Sequence, residues 1–487
     1  MACYLLHAGQ SSAQRLLRRV GRLREYRSVS ALRPEDTVIR WGDSAESDAP
    51  EARVLNPQNA VARTRSRSAM VRFLRRVGVR VYSRDRNGDT PSLLRQYRIP
   101  IFDLTPLACF RSDRAPVWLN QRLRNVQASF REVPFDEEKL TARVLQLACR
   151  ALHAVGLDHG MVSIGMAPQG VLYVLDVTPS PVLMGRMLEL FSHAIDQYID
   201  REEGAGRSTE APVRIGTDVE LMLRNAAGRM VLASKFLSRK GRVGCDDRSV
   251  QFDGQRLPLM ELRPEPDADP LRLVANLHAV MEEASDRISR PGIQWLAGSM
   301  PFRPYCTGGH IHFSNVPYSS HFVRVLDNYL GLPLMMVEDP KTGRLRRTRY
   351  GFLGDVRQKD HGGFEYRTPA SFVVSPEITA AAFCIAYLVA QHHRDLPVFD
   401  LYEENIQLAF YQARKDVLLP IVKRNHAILQ ELPEYPRYRE YIEPLFELIW
   451  AGQTWDESVD VRTVWGIPVR RRKAVPRTAV RRSAAHA

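Results

Sequence analysis

Gly308-Gly309-His310-Ile311-His312-Phe313 sets two imidazoles two residues apart within a short apolar run. In a strand, residues i and i+2 share a face. His310 and His312 would therefore project together while Ile311 and Phe313 turn the other way. Three more stretches have the same form: Gly216-Thr217-Asp218-Val219-Glu220, Met260-Glu261-Leu262-Arg263-Pro264 and Phe364-Glu365-Tyr366-Arg367-Thr368-Pro369. They pair Asp218 with Glu220, Glu261 with Arg263 and Glu365 with Arg367. Gathered on one sheet face, these pairs would offer oxygen and imidazole ligands to a divalent metal beside guanidinium groups for phosphate or carboxylate. That combination suits ATP chemistry.

The rest of the chain bounds the setting. With 487 residues there is room for two or three domains. No apolar run approaches the roughly 18–20 residues of a membrane span, and the N-terminus lacks the pattern of a secretory signal. Six scattered cysteines without a CxxC pair fit reduced thiols in the cytoplasm. The net charge of +14 raises the question of nucleic acid, but its location argues against that partner for the site. Residues 1–198 carry about +10 and residues 466–487 carry +7, which leaves the middle of the chain slightly acidic. Arginine outnumbers lysine 61 to 8, as a codon bias would produce.

Along the chain, residues 1–199 alternate strand-like runs (37–41 and 77–82) with helical periodicity at 68–77 and 135–155. A hairpin is expected between 161–165 and 171–177 around Gln169-Gly170. The polar, glycine-bearing segment 200–212 reads as a linker. Strand signals recur from 213 to 371 between helices at 270–289 and 319–330. Further helices are expected at 377–392, 403–419 and 438–451. The expected division is thus 1–199, a linker at 200–212, a catalytic domain at 213–400, a helical extension at 401–465 and a disordered basic tail at 466–487.

Taken in order, Asp218-x-Glu220, Glu261-Leu-Arg263-Pro, Gly308-Gly-His310-Ile-His312, Tyr350-Gly-x-x-Gly-Asp355-x-Arg357 and Glu365-Tyr-Arg367-Thr-Pro resemble the type 2 carboxylate–amine ligases, relatives of glutamine synthetase and glutamate–cysteine ligase. The resemblance covers about residues 214–393. It implies an α+β fold, with an antiparallel glutamine-synthetase-type sheet curved into a half-barrel and helices outside it. It also implies ATP, two or three Mg²⁺ ions, and carboxylate and amine substrates that are small molecules or peptides. Asp218, Glu220, Glu261, His310 and Glu365 then correspond to metal-binding positions. Asp246, in Gly244-Cys245-Asp246-Asp247, resembles another, with Asp247 as its competitor. Arg367 would face the transferring phosphoryl group; Arg357 and Arg349 suit phosphate or substrate carboxylate, and Arg263 could serve either end. His312, Lys359 and His361 are candidates for nucleotide contact, although for His361 the solvent-exposed loop is the stronger reading. Gly308-Gly309 would either let a ligand approach or form a turn.

Residues 36–181 resemble an ATP-grasp domain, on Ile39-Arg-Trp-Gly42, Gln96-Tyr-Arg-Ile-Pro-Ile-Phe102 and Tyr173-Val-Leu-Asp-Val-Thr-Pro-Ser-Pro181. This chain departs from that pattern where chemistry would lie. Its one lysine before residue 200 is Lys139, and the metal-binding acid and amide appear as Asp176 and Thr178, with Ser163 in place of a further acid. The domain is expected to be degenerate. Three alternatives stand beside the ligase reading: a transition-metal hydrolase on His310 and His312, a nucleic-acid-binding protein and a scaffold. The sequence sets no oligomeric state.

Overall fold

A computed structural model of the chain describes residues 1–27, 32–49, 52–83, 92–112, 129–204, 211–359, 362–398 and 401–468. His361 and most of the basic tail lie outside the described residues. The architecture is α+β, with one parallel and two antiparallel sheets.

The N-terminal part contains two of these sheets. Four short parallel strands run in the order Leu23–Glu25, Cys3–His7, Thr37–Trp41, Arg53–Leu55. Helices Ser11–Arg19 and Arg186–Gly204 flank this sheet and share a small core with it, in which Leu5, Leu16, Trp41 and Phe191 are buried. The second sheet is antiparallel and includes the expected hairpin, Gly160–Ala167 with Val171–Thr178. Gln169 and Gly170 both adopt positive φ at its turn. Helix Lys139–Ala154 packs on this sheet and buries Val144, Ala148, Ala151 and Leu152.

Three local expectations shift. The acids 136–138 precede helix Lys139–Ala154 instead of opening its first turn, because Glu137 and Glu138 pair with Arg111 at 2.9 and 3.1 Å. Residues 77–82 form only a parallel bridge from Val81 to Val174. Gly78, at φ +83°, ends the preceding helix, and its Cα presses against Thr348 so closely that a Cβ would lie 2.4 Å from the Thr348 carbonyl. The segment read as a linker begins inside helix Arg186–Gly204.

The third sheet has eight strands, ordered Val243–Cys245, Leu259–Leu262, Arg214–Arg224, Gly309–Ser314, Phe364–Tyr366, Val356–Gln358, with Met230–Val231 and Gln294–Leu296 also paired to the long strand Arg214–Arg224. All its pairings are antiparallel. On the long strand Ile215, Val219, Leu221 and Leu223 are buried in the core with helices Pro270–Arg287 and Pro376–His392. The alternate positions Asp218 and Glu220 face the other way. Beyond residue 319 the helical run is interrupted by a π-turn, Asp327–Gly331, and the run expected at 403–419 breaks at Ala413, whose φ is +57°. That break lets Lys415 reach the Glu338 carbonyl at 2.8 Å.

One hydrophobic core spans the antiparallel N-terminal sheet and the eight-stranded sheet with its helices. A buried polar node ties them together: His153 Nε2 lies 3.0 Å from Asp327 Oδ2, and the Tyr402 hydroxyl reaches both. Tyr366 donates to the other Asp327 oxygen at 2.7 Å.

Candidate active site

Register decides which side chains meet. Glu220 lies opposite Glu261, Asp218 opposite His310, His312 opposite Glu365, and Glu365 opposite Arg357. The four pairs read from the sequence therefore share one face of one sheet. Glu220 and Glu365 are fully buried and Asp218, Glu261 and His310 nearly so.

His310 is committed on both sides of its ring. Nδ1 lies 2.8 Å from Asp218, and Nε2 lies 2.5 Å from the Tyr350 hydroxyl. Burial acts to lower the His310 pKa, but Asp218 and Glu220 outweigh it and hold the ring above its ordinary value. Asp218 also meets His312 Nε2 at 3.2 Å. Burial opposes its ionisation, yet the two histidines keep its carboxyl well below the usual carboxylate range. Asp218, His312 and Glu365 can each turn one ligand atom toward a common point, all within 4.8 Å of one another.

Glu365 is the most heavily held carboxylate. Arg357 binds it through two nitrogens at 2.9 Å, Lys359 reaches it at 2.6 Å and Arg367 at 3.2 Å. On the other side of the cluster, Glu220 accepts the Gly308 amide at 2.8 Å and pairs with Arg248. Arg248 also binds Asp246 at 2.8 Å. Asp246 is the acid that faces the cluster, whereas Asp247 is exposed. Glu261 pairs with Arg263, which also donates to the Gly241 and Cys245 carbonyls. Burial first, and then the neighbouring Asp218, push Glu261 up to about 8.

Sequence reasoning missed three residues. Tyr350 links the two halves: its hydroxyl meets His310, donates to Glu220 at 3.2 Å and accepts from Arg367 at 3.1 Å. Arg248 follows directly on the Asp246-Asp247 pair. Arg346 is fully buried and donates to four backbone carbonyls: those of Thr307 and Thr368 at 2.8 Å, Pro369 at 2.7 Å and Arg367 at 3.3 Å. It thus fixes the residues flanking both His310 and Arg367. Tyr350 lies between Arg349 and Gly351, where the arginine carries the charge signal and a hydroxyl does not stand out; a lone Arg346 in an arginine-rich run offers no signal.

The glycines have a more local purpose than ligand access. A Cβ on Gly308 would lie 2.3 Å from His310 Nε2, and one on Gly309 would meet Phe372 at 2.5 Å. Gly308 clears space for the His310 ring itself. Arg349 is exposed and lies off the sheet face, in a cleft with Tyr350 and Arg367. In the N-terminal part, Asp176 sits opposite Ser163 and accepts from Thr178 at 3.0 Å, while Lys139 is exposed at the start of its helix.

Among solved structures, the chain is similar to the ATP-grasp ligase PsnB in complex with a minimal precursor, at 13% identity and a TM-score of 0.27 over 40% of this chain and 99% of that one. It is also similar to the D-alanine–D-alanine ligase of Bacillus anthracis, at 12% identity and 0.28 over 42% and 99%. A bifunctional glutathione synthetase from Pasteurella multocida matches at 12% identity and 0.35, over 52% of this chain and 49% of that one. No curated protein matches the chain. Residues 215–467 match the family described as phage phiEco32-like COOH.NH2 ligase-type 2, a span that takes in the whole eight-stranded sheet and the C-terminal helices. More than half of the chain is thereby covered, and the protein belongs to this family of carboxylate–amine ligases.

Proposed function

We propose that this ligase activates a carboxylate with the γ-phosphate of ATP and passes the acyl phosphate to an amine at the polar face of the eight-stranded sheet, which we take to be of the glutamine-synthetase type. The observation that carries this reading is the convergence of Asp218, His312 and Glu365 on one point, with Arg357, Lys359 and Arg367 all touching Glu365. Phosphoryl transfer to a carboxylate brings several negative charges together, so such a site needs cations placed in advance.

The residues fit Mg²⁺. The donors are chiefly carboxylate oxygens with one imidazole, as a hard cation prefers. The displacement of Glu261 to about 8, partly by other acids, is the mark of crowded negative charge that a divalent cation would relieve. Asp218, His312 and Glu365 would hold one ion, and Glu220, Glu261 and Asp246 a second. Bound Mg²⁺ would neutralise the triphosphate and the developing charge. We assign Arg367 and Arg357 to the transferring phosphoryl group. Arg357 is 54% exposed and Lys359 26% exposed, so both have freedom to turn from Glu365 toward a phosphate. Arg349 is assigned to a substrate carboxylate. His310, engaged at both nitrogens, orients Asp218 and Tyr350, so the metal-ligand role expected of it passes to His312. The same engagement argues against a transition-metal site on both imidazoles.

In this reading the N-terminal part, to Gly204, is an ATP-grasp-like domain that has lost turnover. Asp176 lies opposite Ser163 and accepts from Thr178, so its named partners are hydroxyl side chains and not a further acid or amide. A cytoplasmic setting is supported by six free cysteines, five of them buried. Among the described residues no helix is long and apolar enough to cross a membrane.

Phosphate release in the presence of Mg-ATP and a panel of amino acids and peptides tests the proposal. Glu365→Gln and Arg367→Ala are each expected to abolish it while the fold is retained. Unchanged release in both variants would sink the assignment.

A further inference from the structure

A cleft of about 660 Å³ opens between the N-terminal part and the ligase domain, beside the site. Its lining includes five arginines: Arg80, Arg143 and Arg150 from the N-terminal part, and Arg349 and Arg367 from the ligase domain. Asp355 is the one acid in that lining. Asp355 is buried and turned toward the Gly351 amide, at 2.9 Å, and Arg367, at 4.0 Å. Arg80, Arg143 and Arg349 are exposed and form no ion pair with a described residue. Several like charges gathered in one concavity focus a positive field on whatever enters it.

The walls are fixed with respect to each other. Arg150 donates to the Val77 and Thr348 carbonyls, both at 3.1 Å, which joins the two sides at the floor. Gly78 packs directly on Thr348 at the same place. At its inner end the cleft reaches Tyr350 and Arg367, and so the cluster around Glu365.

We infer that this cleft binds an acidic substrate, one carrying two or more carboxylates besides the group that reacts, with the N-terminal part supplying Arg80 and Arg143 as anchors. The inference rests on the ligase reading above, which places the reacting carboxylate near Arg367. Carboxylates match forked guanidinium donors. A nucleotide fits less well, because a base needs an open aromatic or apolar face. Phe352 is buried and covered by Arg150 at 4.0 Å, and the Tyr350 ring is faced by Arg248, Arg346 and Arg367 at 4.7–5.1 Å.

The test uses the full chain and an Arg80→Glu/Arg143→Glu double variant, both titrated calorimetrically with a triglutamate peptide, inorganic tripolyphosphate and Mg-ATP. Both positions are exposed, so an unchanged melting temperature is expected. Triglutamate should bind the wild type and lose at least about tenfold in affinity in the variant, with Mg-ATP binding unaltered. Equal triglutamate affinity in both proteins, or none in either, would overturn the inference. So would loss of Mg-ATP and tripolyphosphate binding in the variant, since the cleft would then be a nucleotide site. Glu365→Gln separates the two readings, because it should stop phosphate release and leave triglutamate binding intact. Triglutamate binding that depends on Arg80 and Arg143, in a wild type that releases no phosphate with any substrate, would support the cleft and defeat the ligase mechanism.

Discussion

Replacing Arg346 with alanine is expected to destabilise the ligase domain severely, although the residue touches no substrate in the proposed site. Its guanidinium is fully buried and serves four carbonyls, three of them at 2.7–2.8 Å. Each hydrogen bond from a charged donor is worth about 1.5–3 kcal/mol, and a buried group left unpaired costs about 1–3 kcal/mol. The Pro369 carbonyl retains a second donor, the Gly309 amide at 3.1 Å. Thr307 and Thr368 therefore carry most of the loss. Allowing for the relief of a desolvated charge, the net cost should be about 4 kcal/mol. With an unfolding entropy of about 2.1 cal/mol/K per residue, a cooperative unit of the whole chain, whose main core spans both parts, should melt roughly 4 °C lower. Differential scanning calorimetry measures this directly. Arg346→Lys, with donors but without the fork, should fall between the two proteins. A shift under about 1 °C in the alanine variant would refute the reasoning, since the four bonds would then contribute less than about 1 kcal/mol net.

Tyr350→Phe removes one hydroxyl from between His310, Glu220 and Arg367; phosphate release should fall at least about tenfold with little change in melting temperature, roughly 1.4 kcal/mol in the barrier. Asp218→Asn should weaken Mg²⁺ binding by at least about tenfold in calorimetry, and undiminished affinity would remove Asp218 from the ligand set. His159 is buried against Trp41, with ring centroids 5.3 Å apart, and burial pulls its pKa down to about 4. The unfolded chain therefore takes up a proton below its ordinary value of about 6.5 that the folded chain refuses. This contribution to stability is complete above that value and declines by about 1.4 kcal/mol per pH unit as pH falls toward 4. His159→Phe should flatten that decline in acid melts followed by tryptophan fluorescence, and an unchanged slope would count against it.

Much of the site was legible because strand alternation is a short-range rule. Asp218, Glu220, His310, His312, Glu365 and Arg367 each follow from two-residue spacing, and register then brings the strands together. Less legible was that His310 would be engaged at both ring nitrogens. That depends on Tyr350, forty residues beyond His310, and on a hydroxyl whose partner no local pattern names. Arg346 escaped for the same reason, since its acceptors are backbone carbonyls that leave no trace in side-chain identity. The break at Ala413 and the π-turn at 327–331 reflect tertiary demands, from Lys415 against Glu338 and from Asp327 against His153, which override helical periodicity. Arg111, which holds Glu137 and Glu138 ahead of their helix, belongs to a distant strand and was likewise invisible locally.

The node around His153 also sets a schedule. Its partners Asp327 and Tyr402 lie 174 and 249 residues further along the chain. At a synthesis rate of about 5–20 residues per second, roughly 10–50 s separate the emergence of His153 from that of Tyr402. Throughout that interval the helix that carries His153, and the apolar face beside it, wait on the ribosome without their cover. A nascent chain stalled before Tyr402 should therefore be open to protease and to chaperone capture, and the N-terminal half reaches its final state only when the C-terminal half arrives.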